Sequence, residues 1–411
     1  MCVECQKTAL KDLTAGTGRR KMLRAGGHPP ETFQVLATQR RRRCADVPPD
    51  QRPKRPAEIR WPLRCVRRTL GGMTLTVTPL DPADRQTLDA VYRIACAARA
   101  VDEPDLPDPC RRRFEAPLWH PMPGIDTRWL VARLDGTPAG WLRLYLHTID
   151  NTENAGVELT VDPAYRRQGI GRTLHEHGVR LLREHGGERL VGPTVAALPG
   201  EEGRVFPGAA FAAAMGARPA LADVRRRLDV AGLDRDRLAA LLAEARAAAT
   251  GYRSVRWRDH TPEEYVADVA YLEGRLLLDA PMGELGWEPE QMDAARVRDA
   301  ERALDARGVR RYNTGVVHEA TGRMVGWTQL GLDASSTEHA WQEITLVDPD
   351  HRGHRLGLLC KAGNLAYALA HEPALRAVDT WNAAVNRHMI AINERLGFRP
   401  AAGSIDWQLT I

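Results

Sequence analysis

Val161 to Gly171 reads V-D-P-A-Y-R-R-Q-G-I-G, and 186 residues later Val347 to Gly357 reads V-D-P-D-H-R-G-H-R-L-G. The two align without a gap. In each, a valine ends a strand-like run, Asp-Pro follows, and basic and glycine residues lead into a segment of helical period. Glycines let the backbone approach a phosphate closely, and the amide N–H groups of a helix start point at it. Flanking arginines add charge-assisted bonds. The candidate anion-binding residues are therefore Val161, Arg166, Arg167, Gln168, Gly169, Ile170, Gly171 and Arg172 in the first copy. In the second they are Val347, Arg352, Gly353, His354, Arg355, Leu356 and Gly357. No Gly-Lys-Ser/Thr follows and the spacing is not G-x-G-x-x-G, which excludes a P-loop and a dinucleotide fingerprint.

The flanks repeat as well. Two strand-like runs precede each motif: 129–134 and 139–146 about Asp135-Gly136, then 312–317 and 324–330 about Thr321-Gly322. Helical segments follow over 171–184 and 356–371, and short helices run into glycine over 211–218 and 392–399. Leu233 to Ala249, rich in Ala and Arg with leucines at helical spacing, predicts a connecting helix ending at Gly251. The repeat length suits two domains, 73–232 and 252–411, joined by a helical linker, 233–251. The predicted order in each is strand, helix pair, three strands, helix, strand, helix, two strands. The fold class is α/β, with two tandem mixed-sheet domains.

Composition supports a soluble, metal-free reading. The 411 residues are 43% hydrophobic and 27% charged, and no apolar run is long enough to cross a membrane. Residues 1–72 hold 17 Lys and Arg against 6 Asp and Glu. Of the chain's 58 basic and 53 acidic residues, this leaves the remainder with a net charge of −6. The basic, proline-punctuated leader, 1–72, is expected to be disordered, with ordered chain starting at Met73. It lacks aromatic interleaving, so nucleic acid is not an expected partner. Cys2-x-x-Cys5 has no matching pair, and the other cysteines are scattered, which points to a reducing cytoplasm and no metal site. His175, His177 and His185 suggest no metal geometry and are read as surface groups.

Both copies resemble the GNAT superfamily of acyl-CoA-dependent N-acyltransferases, whose pyrophosphate loop is written Q/R-x-x-G-x-G/A. Residues 73–411 as a whole resemble a tandem GNAT protein. The first copy matches the loop with Arg166, Gly169 and Gly171; the second has Arg355 where the first glycine belongs. A second family signature, N-x-x-A-x-x-L-Y-x-x-x-G-F, is followed by Asn386, Met389, Ile392, Leu396, Gly397 and Phe398, whereas the first copy has Val205 at the asparagine position. The copies are worn at opposite places.

The resemblance implies acetyl-CoA as acyl donor, no metal, and direct attack by the amine of a small-molecule acceptor, in a monomer or homodimer. It implies Glu158 and Glu343 as candidate bases and a strand amide near Val161 or Val347 as oxyanion donor. Glu158 lies four residues before its aspartate and Glu343 five, so strand alternation puts them on opposite faces unless a bulge shifts the register. The tyrosine that usually protonates the leaving thiolate is replaced by Ala212 and Asn393. The acidic stretches Asp102, Glu103 and Asp105, and Asp279 to Glu284, are candidate attractors for a cationic acceptor. The missing tyrosines leave a second reading open, a non-catalytic acyl-CoA-binding or scaffold protein.

Overall fold

Among the described residues, four helices start where short polar side chains satisfy the first free amides. In the computed structural model, which describes residues 66–70, 72–198, 201 and 206–411, Asp84 accepts from the Thr87 N–H at 3.0 Å and opens α1 (Arg85–Asp102). Asp234 does the same for α5 (Arg235–Ala248), the predicted linker helix. Asn386 caps α10 (Arg387–Leu396) through the Met389 N–H at 3.1 Å, and Gly397, at φ 100°, ends it.

The first half runs β1 (Val66–Leu70), β2 (Met73–Pro79), α1, α2 (Arg111–Glu115), β3 (Ile125–Leu134), β4 (Thr137–His147), β5 (Asn154–Val161), α3 (Ile170–Glu184), β6 (Arg189–Ala196), α4 (Pro207–Ala214) and β7 (Arg218–Asp229). The second half, after α5, runs β8 (Tyr252–Arg258), α6 (Val266–Gly274), α7 (Leu276–Asp279), α8 (Ala294–Ala306), β9 (Arg310–His318), β10 (Met324–Leu332), β11 (His339–Val347), α9 (Leu356–His371), β12 (Ala377–Ala383), α10 and β13 (Arg399–Thr410).

Most of the leader lies outside the described residues. Its end, Val66–Leu70, is an edge strand antiparallel to β2, so order begins before Met73.

The strands form one sheet in the order β1-β2-β3-β4-β5-β6-β13-β7-β12-β11-β10-β9-β8. Each half ends in one long strand, not the two predicted. The missing neighbour comes from the other half: β13 lies between β6 and β7, and β7 between β13 and β12, all antiparallel. This reciprocal exchange makes the two mixed α/β domains one continuous sheet.

Apolar side chains cover both faces. Leu142 and Leu144 of β4 pack with Leu174 and Leu182 of α3, while Phe114, Trp129 and Trp141 pack under α1. The second half repeats this with Leu330, Leu359 and Leu365, and with Trp257, Val269 and Trp327. Each such buried side chain contributes about 1.5–3 kcal/mol. Met122 and Ile125 meet Ala303, Leu304 and Val309 across the seam between halves. The seam also holds Asp379, which meets Arg227 at 2.6 Å and His339 at 2.7 Å, with the fully buried Arg225 at 3.3 Å. Burial alone would raise the Asp379 carboxyl, but the His339 bond and the two guanidiniums outweigh it and hold the group well below the usual carboxylate range.

Candidate active site at the second fork

The two glycine loops follow one path. The second and fourth positions of each motif are left-handed: Arg167 at φ 66° and Gly169 at 81°, Gly353 at 90° and Arg355 at 55°. Each loop has one glycine and one arginine at these positions, in opposite order, so Arg355 does not alter the backbone. Gly169 and Arg355 sit at the N-caps of α3 and α9, whose first amides face outward from the loop.

The leading arginines tie the loops down. Arg166 donates to the Val161 carbonyl at 3.2 Å and grips the Asp102 carboxylate at 2.8 and 3.0 Å. Arg352 donates to the Val347 carbonyl at 3.3 Å and lies 3.2 Å from Asp279. Asp102 is thus neutralised, as are Glu103 by Arg99 and Asp105 by Arg225 and Arg227, which removes that stretch as a cation attractor. Arg355 pairs with Glu244 on α5. His351 and His354 gather around Tyr252, whose hydroxyl is 2.9 Å from the His351 Nδ1.

Ahead of each loop, two parallel strands pair for three residues and then diverge into a fork. Asn154, Ala155 and Gly156 pair with Arg189, Leu190 and Val191; His339, Ala340 and Trp341 pair with Ala377, Val378 and Asp379. The forks differ above that point. In the first, β4 and β5 stay in register and Arg143 lies opposite Glu158. Both are buried, and the guanidinium Nε donates to the Glu158 carboxylate at 2.8 Å while stacking 4.4 Å from the Trp129 ring centre. Val157 closes over Gly192, where an added β-carbon would come within 2.9 Å of its methyl.

In the second fork β11 carries one extra residue. Thr328 pairs with Thr345 but Leu330 pairs with Gln342, so Glu343 and Ile344 bulge opposite Gln329. Counted from the parallel pairs, Glu343 and Glu158 stand at the same step, which explains their unequal distances from the aspartates. The Gln342 amide pins the bulge by donating to the Gln329 carbonyl at 2.8 Å and the Ile344 carbonyl at 3.2 Å. The Thr380 hydroxyl donates to the Gln342 carbonyl at 3.0 Å, where the first half has Gly192. Val347 remains paired with Gly326, so the ladder is interrupted at the bulge and not at Val347.

A cavity of about 330 Å³ opens from this fork. Of the sequence candidates it brings together Glu343, Val347, Arg352, Gly357 and Asn386, with Asp279 to Met282 of the acidic stretch and Met389 and Ile392 of the second signature; neither Glu158 nor the first loop lines it. Its far wall belongs to the first half, with Met122, Ile125, Tyr145, His147 and Leu221, and its lid is the segment after α7, with Ala280, Pro281, Met282, Leu285 and Trp287. The lid is anchored on the first half. The Glu284 N–H donates to the Ala220 carbonyl at 2.9 Å, and Asn154 donates to the Gly286 carbonyl at 2.7 Å. Gly283, at φ 57°, has room for no side chain, since a β-carbon would lie 2.2 Å from the Ala220 carbonyl. Burial, with Arg296 nearby, pushes the His147 imidazole down to about 4, so it is neutral at pH 7 beside Trp287.

Of the helix histidines only His177 is withdrawn from the surface, buried with its Nδ1 2.7 Å from the Thr173 carbonyl; His175 and His185 are half-buried, His175 packing on Phe211. Among the described residues no cluster of His, Cys, Asp or Glu is placed to hold a metal, and no helix is long and apolar enough to cross a membrane. Asn393 is engaged by Asn382 at 2.5 Å. Among the lining residues that the sequence reading did not single out is Lys361, on α9, almost fully buried. It carried a signal nonetheless, being the only lysine after Lys54 in a chain whose cations are otherwise nearly all arginine.

Comparison with known proteins agrees with this architecture. The model of the acetyltransferase (GNAT) family matches residues 88–197. Mycothiol acetyltransferase from Geodermatophilus obscurus is 27% identical over 81% of this chain and 96% of its own length, and that from Salinispora tropica 28% over 79% and 95%. Among solved structures, a tandem GNAT protein from the clavulanic acid biosynthesis pathway superimposes with a TM-score of 0.69 at 34% identity, covering 82% of this chain and 98% of that one.

Proposed function

The chain belongs to the GNAT acetyltransferases in their tandem form, and from that premise we propose that it transfers an acetyl group from acetyl-CoA to the amine of a small molecule at the second fork. The relatives' name, mycothiol acetyltransferase, supports acetyl as the acyl group. The observation that carries the choice of fork is the cavity that joins a bulged β11, the loop at Arg352 and Gly357, and the Asn386 cap.

On this reading the donor's pyrophosphate lies at the α9 start, where amides are free and Gly357 keeps the approach open. A side chain there would press on Ile392, 3.3 Å from the added β-carbon. The bulge supplies a backbone N–H outside the ladder for the developing oxyanion. Glu343 takes the proton of the attacking ammonium, directly or through one water. Room for its carboxylate comes from Gly331, where a β-carbon would lie 3.4 Å from it. The first half acts in trans: Met122, Ile125, Tyr145 and Leu221 form an apolar wall for the acceptor's body, and the neutral His147 adds no positive charge to repel an amine. Cys110 and Cys360 are buried free thiols, which suits a reducing cytoplasm, where such a donor is found.

The test is a calorimetric titration of acetyl-CoA into the full chain and into Gly171→Glu and Gly357→Glu. Loss of binding on Gly357→Glu with retention on Gly171→Glu supports the second fork. The reverse moves the chemistry to the first.

A further inference from the structure

Lys361 has no role in the scheme above, and its surroundings are unusual for a lysine. Lysine is almost never fully buried without a partner, yet Lys361 is 2% exposed. Its Nζ has a weak partner in the Met389 thioether at 3.8 Å and lies 5.7 Å from the centre of the Phe398 ring. Among the described residues no carboxylate forms an ion pair with it. The helix places it one turn beyond Gly357, and its side chain lines the same cavity as Glu343, Asn386 and Met389. Burial alone brings the amine down to about 7, so a large fraction is uncharged and nucleophilic at neutral pH. An arginine at this position would stay charged.

We propose that Lys361 is itself an acyl acceptor: the enzyme acetylates this side chain in cis when no external amine occupies the cavity. The Nζ lone pair adds to the thioester carbonyl carbon, a C–N bond forms and the C–S bond breaks. The proton lost from nitrogen goes to the sulfur, leaving acetyl-lysine and free CoA thiol. Acetylation removes the protonated form of the side chain, so the site no longer holds a charge without a counter-ion. Acetylation also fills space at the fork, so the modified chain holds a new donor less well. The proposal rests on the second fork as the donor site.

The experiment is intact-mass and peptide analysis of the full chain after incubation with acetyl-CoA, beside calorimetry with CoA on the same preparation. The expected result is one added acetyl group on Lys361, absent when acetyl-CoA is withheld, with Lys7, Lys11, Lys21 and Lys54 modified at least tenfold more slowly. Lys361→Met, which keeps volume and removes the amine, binds CoA and gains no fast acetyl group. CoA binding with no acetyl on Lys361 overturns the proposal and leaves the donor site standing. No CoA binding at all overturns both. Equal labelling of Lys361 and the other four lysines overturns it too, as non-specific chemistry.

Discussion

In the first fork Val157 lies over Gly192 and Glu158 is closed into a buried pair with Arg143; in the second, Thr380 and Gln342 hold the strands at the same level and Glu343 stands on a bulge beside open space. The two share a loop path, a helix start and three parallel pairs. The difference is therefore local, a single inserted residue in β11 and what faces it. It teaches that the better-matched loop motif and the open cavity need not coincide. The family model recognises residues 88–197, yet the cavity opens from the half whose loop departs more from the motif.

The strongest way to break the comparison is to separate the forks. If they were independent modules, residues 66–232 alone would fold. The exchange of β7 and β13 predicts that they do not: circular dichroism and gel filtration should show an aggregated or unfolded chain. Nicking the full protein near residue 232, before α5, should leave the halves associated, as the swapped strands stay paired.

Substituting the paired glutamates sharpens it further. On the proposed mechanism Glu343→Gln lowers acetyl transfer about 100- to 10,000-fold with acetyl-CoA binding retained. Glu158→Gln leaves Arg143 buried without its carboxylate and costs about 3–5 kcal/mol of stability, read by denaturant unfolding. Equal activity losses with no stability change would erase the distinction.

Lys361 marks the second fork by pH. Its folded value, about 7, lies below its ordinary 10.5, so the unfolded chain binds the extra proton between these limits. Stability contributed by this group therefore rises with pH across that window, by about 1.4 kcal/mol per unit. Thermal unfolding of the wild type should gain on Lys361→Met between pH 7 and 9; parallel curves would mean that the amine is not held out of water.

The smallest effect tests the shared path. Gly169→Ala and Gly353→Ala should each destabilise by about 1 kcal/mol, since both positions are left-handed and Gly353 faces open space. A neutral Gly353→Ala would show that the two loops differ in backbone.

Periodicity and the gapless repeat made the elements legible: α9 spans Leu356–His371 as the pattern predicts, and α5 falls within the expected linker. The exchange of last strands was not, because β7 and β13 look alike in sequence and nothing local says which neighbour an edge will choose. The pairing of the acidic stretch at Asp102 was not legible for a similar reason: its partner Arg166 is 64 residues away. Glu343 is a candidate in the sequence and lines the cavity, but its alignment with Glu158 needed the bulge, which leaves no mark of its own in a run such as W-Q-E-I-T-L-V. Lys361 was visible as a lone lysine, and only the cavity gave that rarity a meaning.

The exchanged strands also set the timing of birth. While the ribosome is still making the second half, β6 and β7 are complete but their common neighbour β13 does not yet exist. At about 5–20 residues per second, the roughly 180 residues after β7 keep those two edges exposed for on the order of ten seconds or more. During that interval neighbouring nascent chains on one message would present the same open edges to each other. The order of synthesis thus leaves the first half with two open strand edges until the last strand of the chain arrives to close them.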